Sequence, residues 1–228
     1  MTKELARVRK AFPRTFGKVQ DANRARFLTY AEAYEVLIPA CQDKTWTGSR
    51  DQLVIRLGLS GARADEIARL TWGDYADGRF TYTGKKNRSR VLVAGPTMAA
   101  LMTRWAQKYT QQVGRPIAPT DPIICRTLGS NQHAAHRIDW AAPTTADYVW
   151  HIVTRRAEAA GLGHVAPHDL RRSAASILHN AKTPDGGHIF DLRDIQVVLD
   201  HADPATTQRS YLDQIDTEAK DRAADFLD

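Results

Sequence analysis

Apolar residues recur at helical spacing in segment after segment of this chain, and one short hairpin interrupts them. Tyr30, Ala33, Tyr34, Leu37 and Ile38 share one face of a helix predicted over Thr29–Ala40. Thr29 is its N-cap, Glu32 completes a capping box, and Pro39 closes it. Leu53, Val54, Ile55 and Leu57 predict a second helix over Asp51–Leu59, broken by Ser60-Gly61, and a third follows over Ala64–Leu70. Arg79–Thr83 and Val91–Val93 flank the basic turn Gly84-Lys85-Lys86-Asn87-Arg88, which predicts a β-hairpin with a cationic tip. Further helices are expected over Met98–Gln112, Ala146–Ala160, His168–Asn180, Asp191–Leu199, Thr206–Leu212 and Thr217–Leu227, with loops at 113–143 and 181–190. The expected fold class is mainly α with a small antiparallel β-sheet (α+β).

With 228 residues, 43% hydrophobic and 25% charged, the chain can bury a sizeable core, and collagen-like, coiled-coil and disordered classes drop out. No apolar run approaches the ~20 residues that span a bilayer. The charged start lacks the apolar stretch of a signal peptide, so a cytoplasmic protein without a membrane partner is expected. Cys41 and Cys125 are too isolated for a disulfide framework or a zinc site and read as small buried hydrophobes. His133 with His136, and His164 with His168, have metal-like spacing, but no carboxylate or cysteine completes a site, so no metal is expected. Trp46, Trp72, Trp105, Trp140 and Trp150 read as core residues rather than base-stacking platforms.

The charge is unevenly placed. Net +6 overall divides into +10 over residues 1–110, +2 over 111–180 and −6 over 181–228. A basic front of this kind suits a nucleic-acid surface, because phosphates reward clustered Lys and Arg through counterion release. Residues 1–26 carry eight basic side chains against Glu4 and Asp21, and read as a basic arm or linker, solvated or in contact with DNA.

His168 and Arg171 stand three residues apart at the start of a predicted helix, so imidazole and guanidinium can converge on one anion. Alone, this tetrapeptide is too common to decide anything. Its neighbours are more specific: Ser60-Gly61-Ala62-Arg63-Ala64-Asp65-Glu66-Ile67 upstream, and Leu199-Asp200-His201-Ala202-Asp203-Pro204-Ala205-Thr206-Thr207-Gln208-Arg209-Ser210-Tyr211 downstream. Together with the basic hairpin, these segments resemble the catalytic domain of the tyrosine recombinase (phage integrase) family. That family carries T-G-L-R-x-S-E-L, a hairpin lysine, H-x-L-R and L-G-H-x-x-x-x-T-T-x-x-Y in this order. The resemblance covers roughly Phe27 to Asp213, so residues 27–213 are expected to form the catalytic domain and 214–228 an acidic tail. The tail's apolar spacing allows a helix docking on a neighbouring protomer or on its own domain.

The resemblance implies a DNA recombinase or integrase working through a 3′-phosphotyrosyl intermediate. A type IB topoisomerase-like enzyme and a non-catalytic DNA-binding regulator are the rival readings. Tyr211 would attack the phosphodiester, and the phosphotyrosyl link would store the bond energy, so no cofactor is needed. Arg63 and Arg171 would stabilise charge on the non-bridging oxygens. Lys85, with Lys86 as alternate, would protonate the leaving 5′-oxygen. His168 would accept the tyrosine proton or hold a phosphate oxygen, and His201 would donate to the phosphate. Lys86, Arg88, Arg90 and Arg172 are expected to contact DNA. Glu66 would either buttress an arginine or form an exposed helix salt bridge. The implied partners are double-stranded DNA and other copies of the chain, as a tetramer on DNA.

Departures from the family pattern stand out as well. Ala62 and Ile67 replace leucines of the family pattern, and Asp200 replaces the glycine before His201, where a left-handed residue is favoured. The separate helical core-binding domain usual in the family has no counterpart ahead of residue 27, so a catalytic domain alone or a minimal recombinase is expected.

Overall fold

Thr29 opens the first helix through a reciprocal capping box. Its N–H donates to Glu32 Oε2 at 2.9 Å, and the Glu32 N–H donates to Thr29 Oγ1 at 3.2 Å. The structure, a computed structural model, describes residues 26–42, 46–84, 89–128 and 137–199. Helix α1 is π-helical over Ala31–Leu37 and α-helical over Ile38–Ala40. It is followed by α2 (Trp46–Leu59), α3 (Ala64–Arg69), β1 (Tyr75–Ala76), β2 (Arg79–Thr83), β3 (Ser89–Val93), α4 (Pro96–Val113), β4 (Cys125–Leu128), β5 (Arg137–Pro143), α5 (Ala146–Ala159), α6 (Pro167–Asn180) and α7 (Leu192–Leu199). The fold is mainly α with small antiparallel sheets, as the apolar spacing predicts.

Helix α2 is the hub. Leu53, Val54, Ile55 and Leu57 are fully buried, because α4, α5 and α6 all pack around it. Its end follows from Gly61, which adopts φ +94° and closes a Schellman turn: the Gly61 N–H donates to Gly58 O and the Ala62 N–H to Leu57 O, both at 3.0 Å. A Cβ at Gly61 would also stand 3.0 Å from Leu199 Cδ2, so this turn lies directly against the end of α7.

The predicted hairpin is present, with Phe80 opposite Leu92 and Tyr82 opposite Arg90, and inward and outward residues alternating along both strands. The structure adds β1 to its edge. Asp77 and Gly78, both at positive φ, make the tight turn from β1 to β2. The stretch 113–143, expected as loop, contains the antiparallel pair β4–β5, whose strands are joined across residues 129–136, outside the described residues. Helices expected over Thr206–Leu212 and Thr217–Leu227, the 1–25 portion of the arm and the acidic tail also lie outside the described residues.

Both cysteines are buried, and burial pushes the Cys125 thiol up to about 12. Trp105 is buried, and Trp72 and Trp140 pack against the main core. Trp150 departs from the expectation: it is 39% exposed on α5 and packs against His151 and His164.

Inside this core sits an ionic knot. Asp51, fully buried, accepts from Arg50 Nη2 at 2.7 Å, Arg156 Nε at 2.8 Å and Arg155 Nη2 at 3.0 Å. Arg50 is itself fully buried, donates to Thr127 Oγ1 and lies over the Tyr148 ring. Removing one partner of such a pair strands the other in a low dielectric, which costs about 3–5 kcal/mol. Asp51→Ala is therefore expected to lower the midpoint of thermal unfolding by on the order of 10 °C, measured by circular dichroism.

Candidate active site

Three chain segments converge at one end of α2. Arg63 is the N-cap of α3, with extended backbone, and its N–H donates to Glu66 Oε2 at 2.9 Å while its Nη1 donates to Glu66 Oε1 at 2.8 Å. Glu66 Oε2 also accepts from Arg90 Nη1 at 2.7 Å. Glu66 is 2% exposed, so it is a buried buttress between two guanidinium groups and not a surface salt bridge. Burial opposes its ionisation, but the Arg63 backbone and side-chain donors and the Arg90 charge outweigh it, and the carboxyl is held below its ordinary range.

Arg171 comes from α6, 3% exposed. Its Nη1 donates to Gly61 O and its Nη2 to Leu199 O, so one planar group ties the end of α2 to the end of α7. Burial and the neighbouring charges of Arg63 and Arg90 bring its pKa down to about 10, which leaves it cationic at neutral pH. Helix α6 begins with Pro167 at its first position, and Asp169 Oδ2 accepts from the Ala166 N–H at 3.0 Å. That start places His168 on the exposed side of the first turn, near Arg172, Arg171 and Arg63. Partial desolvation and these cations lower its pKa, favouring the neutral imidazole that can accept a proton.

Arg172, expected on DNA, is partly exposed and pairs with Asp169 at 3.4 Å. Arg90 departs from the same expectation: it is 7% exposed and turned inward, donating to Glu66 and, through Nη2, to Leu199 O at 3.2 Å. Its place two residues before Leu92, on the same face of an alternating strand, is the signal in the sequence. Lys85, Lys86, Arg88, His201 and Tyr211 lie outside the described residues. In the sequence, three residues, Gln208, Arg209 and Ser210, separate the paired threonines from Tyr211, one more than in the family pattern.

Sequence reading also passed over Tyr82. Its hydroxyl is buried without a hydrogen-bond partner among the described residues, and burial pushes its pKa up to about 12. The ensemble of Arg63, Arg171, His168 and Arg172 is rich in positive charge and in N–H donors, with Glu66 and Asp169 as the carboxylates set against it. An anion with several oxygens is the ligand such a site fits. Among the described residues no cluster of His, Cys, Asp and Glu could hold a metal ion, and no helix is long and apolar enough to cross a membrane.

The Phage integrase family model matches residues 27–218. The tyrosine recombinase XerD of Neisseria meningitidis serogroup B (strain ATCC BAA-335 / MC58) is 30% identical over 175 residues, 75% of this chain and 53% of that protein. The chain thus spans about half the length of the curated relatives it matches. Among solved structures, XerA recombinase superposes with a TM-score of 0.61 at 17% identity, covering 94% of this chain and 73% of that one. XerH site-specific recombinase bound to palindromic difH substrate, a post-cleavage complex, gives 0.62 at 20% identity, covering 92% and 56%.

The depressed Glu66 pKa has a consequence for stability. A carboxyl whose folded pKa lies below its ordinary value of 4.5 contributes stability that is present above that pH and lost as pH falls through the folded value. The difference in unfolding free energy between wild type and Glu66→Gln is therefore expected to be constant from pH 7 to 5 and to shrink below about 4.5. Urea titrations across that range check it.

Proposed function

Because the chain belongs to the phage integrase family, we propose that it is a DNA strand-cleaving and rejoining enzyme acting on double-stranded DNA in the cytoplasm, as a tetramer when bound. The observation that carries this reading is the convergence of Arg63, Arg171 and His168 from two separate helices on one electropositive end of α2. In the proposed reaction Tyr211 attacks the scissile phosphate, forming a 3′-phosphotyrosyl bond as the bond to the 5′-oxygen breaks. His168, held neutral, accepts the tyrosine proton or bonds a phosphate oxygen. Arg63, about one-third open to solvent, and Arg171 stabilise the charge that develops on the non-bridging oxygens. A guanidinium has N–H donors to spare beyond the two that Arg171 places on backbone carbonyls. Lys85, with Lys86 as alternate, protonates the departing 5′-oxygen, and His201 donates to the phosphate. Lys86, Arg88 and Arg172 contact the DNA backbone.

The test is covalent trapping. A pool of nicked duplexes with randomised sequence, in which the cleaved end diffuses away, is incubated with the protein, and adducts resistant to SDS are recovered. Wild type is expected to form them and Tyr211→Phe to form none while still binding the recovered duplex; adduct at wild-type level in Tyr211→Phe overturns the nucleophile. Arg63→Ala and Arg171→Ala are expected to slow trapping by on the order of a hundredfold or more.

A bridging-sulfur substrate, whose thiolate leaves without a proton, tests the hairpin lysine. It is expected to restore cleavage to Lys85→Ala and not to Arg171→Ala. Rescue of Lys86→Ala instead would transfer the role by one residue.

A further inference from the structure

Arg90 carries the charge of a DNA contact but occupies the position of a structural one. It stands on β3 facing inward, 7% exposed, with Nη1 on Glu66 and Nη2 on the Leu199 carbonyl. Its stem runs against Gly84: a Cβ built there would lie 2.5 Å from Arg90 Cδ and 3.2 Å from Glu66 Oε1. Only glycine fits there, so the backbone just before Lys85 rests on the Arg90–Glu66 pair. One side chain thus touches three places from which the proposed catalytic groups depart: the α3 start carrying Arg63, the hairpin leading into Lys85, and the α7 end leading towards His201.

We propose that Arg90 is a positioning residue, which holds Arg63 through Glu66 and fixes the end of α7 through the Leu199 carbonyl, and which does not bind DNA. This inference rests on the recombinase reading above. The charge logic supports it. Facing Glu66 are Arg63 on its own helix, Arg90 on β3, Tyr82 on β2 and Arg171 on α6. Without Arg90 the carboxyl keeps its burial but loses one of the two cations hydrogen-bonded to it, so protonation becomes easier and the hold on Arg63 slackens as pH falls.

The experiment uses the duplex recovered by trapping and compares wild type, Arg90→Met, Arg90→Lys, Glu66→Gln and the Arg90→Met/Glu66→Gln double variant. Arg90→Met is expected to slow single-turnover cleavage at saturating DNA by on the order of ten- to a hundredfold, with duplex affinity and its salt dependence unchanged. Arg90→Lys is expected to recover only part, since one ammonium cannot serve Glu66 and Leu199 O together with the geometry of a planar fork. The ratio of the Arg90→Met rate to the wild-type rate is expected to fall further between pH 7.5 and 5.5, and Glu66→Gln in the same background to abolish that fall. A general loss of packing would lower the ratio equally at every pH. Thermal melts establish that each variant is folded, and Arg90→Lys decides the matter if Arg90→Met is not.

Cleavage at the wild-type rate in both Arg90 variants overturns this inference alone. So does a salt slope shallower by about one unit with full cleavage at saturating DNA, the signature of a phosphate contact. Absence of any adduct from wild type overturns the recombinase reading, and the inference with it.

Discussion

A buried carboxylate among arginines is tolerable only if its charge is matched from several directions, and Glu66 is matched by a backbone N–H and two guanidinium groups. That requirement organises the end of the molecule where the candidate chemistry lies. The first turn of α3 must face β3, the hairpin must carry its arginine inward, and the glycine before Lys85 must leave room for the arginine stem. Arg63 is thereby held without its side chain being buried with its partner: 32% of it remains exposed, whereas the Glu66 side chain is fully covered. The arrangement separates a rigid support from a reachable tip, as a site that stabilises transient anionic charge requires.

Helix α7 depends on the same cluster in a different way. It is attached by a small apolar group, Ala174, Ala175, Ile195 and Leu199, separate from the main core. The carbonyl of Leu199, at the negative end of the helix, receives donors from both Arg171 and Arg90. Two cations from other elements therefore meet the last described carbonyl of α7, one residue ahead of Asp200, where the family pattern has glycine.

Much of this was legible in the sequence, because the governing signals are local. The Thr29 and Glu32 box, the Ser60-Gly61 break, the alternation in β2 and β3 and the periodicity of α4 to α7 are short-range patterns, and each appears where spacing puts it. The Asp77-Gly78 turn is equally local, a dipeptide that suits the positive φ values needed between β1 and β2. Strand β4 was hidden for another reason: Cys125–Leu128 pairs with Arg137–Pro143 across an intervening segment, with a register shift between Cys125 and Arg126. Arg63, Glu66, His168 and Arg171 could be named from motif spacing. The inward turn of Arg90 could not be read from its charge, since an arginine on a basic hairpin looks like a phosphate contact until its strand face is known.

The chain enters this domain along α6. The Leu28 N–H donates to Ser173 Oγ at 2.8 Å, Ser173 Oγ donates to Asp169 O at 2.6 Å, and the Arg26 N–H reaches Asp169 Oδ1 at 3.4 Å. All three contacts fall on the first turns of the helix that also bears His168 and Arg171. In mechanical terms this is a load path. A pull on the backbone ahead of Arg26 is delivered to the start of α6, and from there, through Arg171, to the ends of α2 and α7. Tension on the polypeptide is thus shared between the main core, at Leu28, and the helix that bears His168 and Arg171.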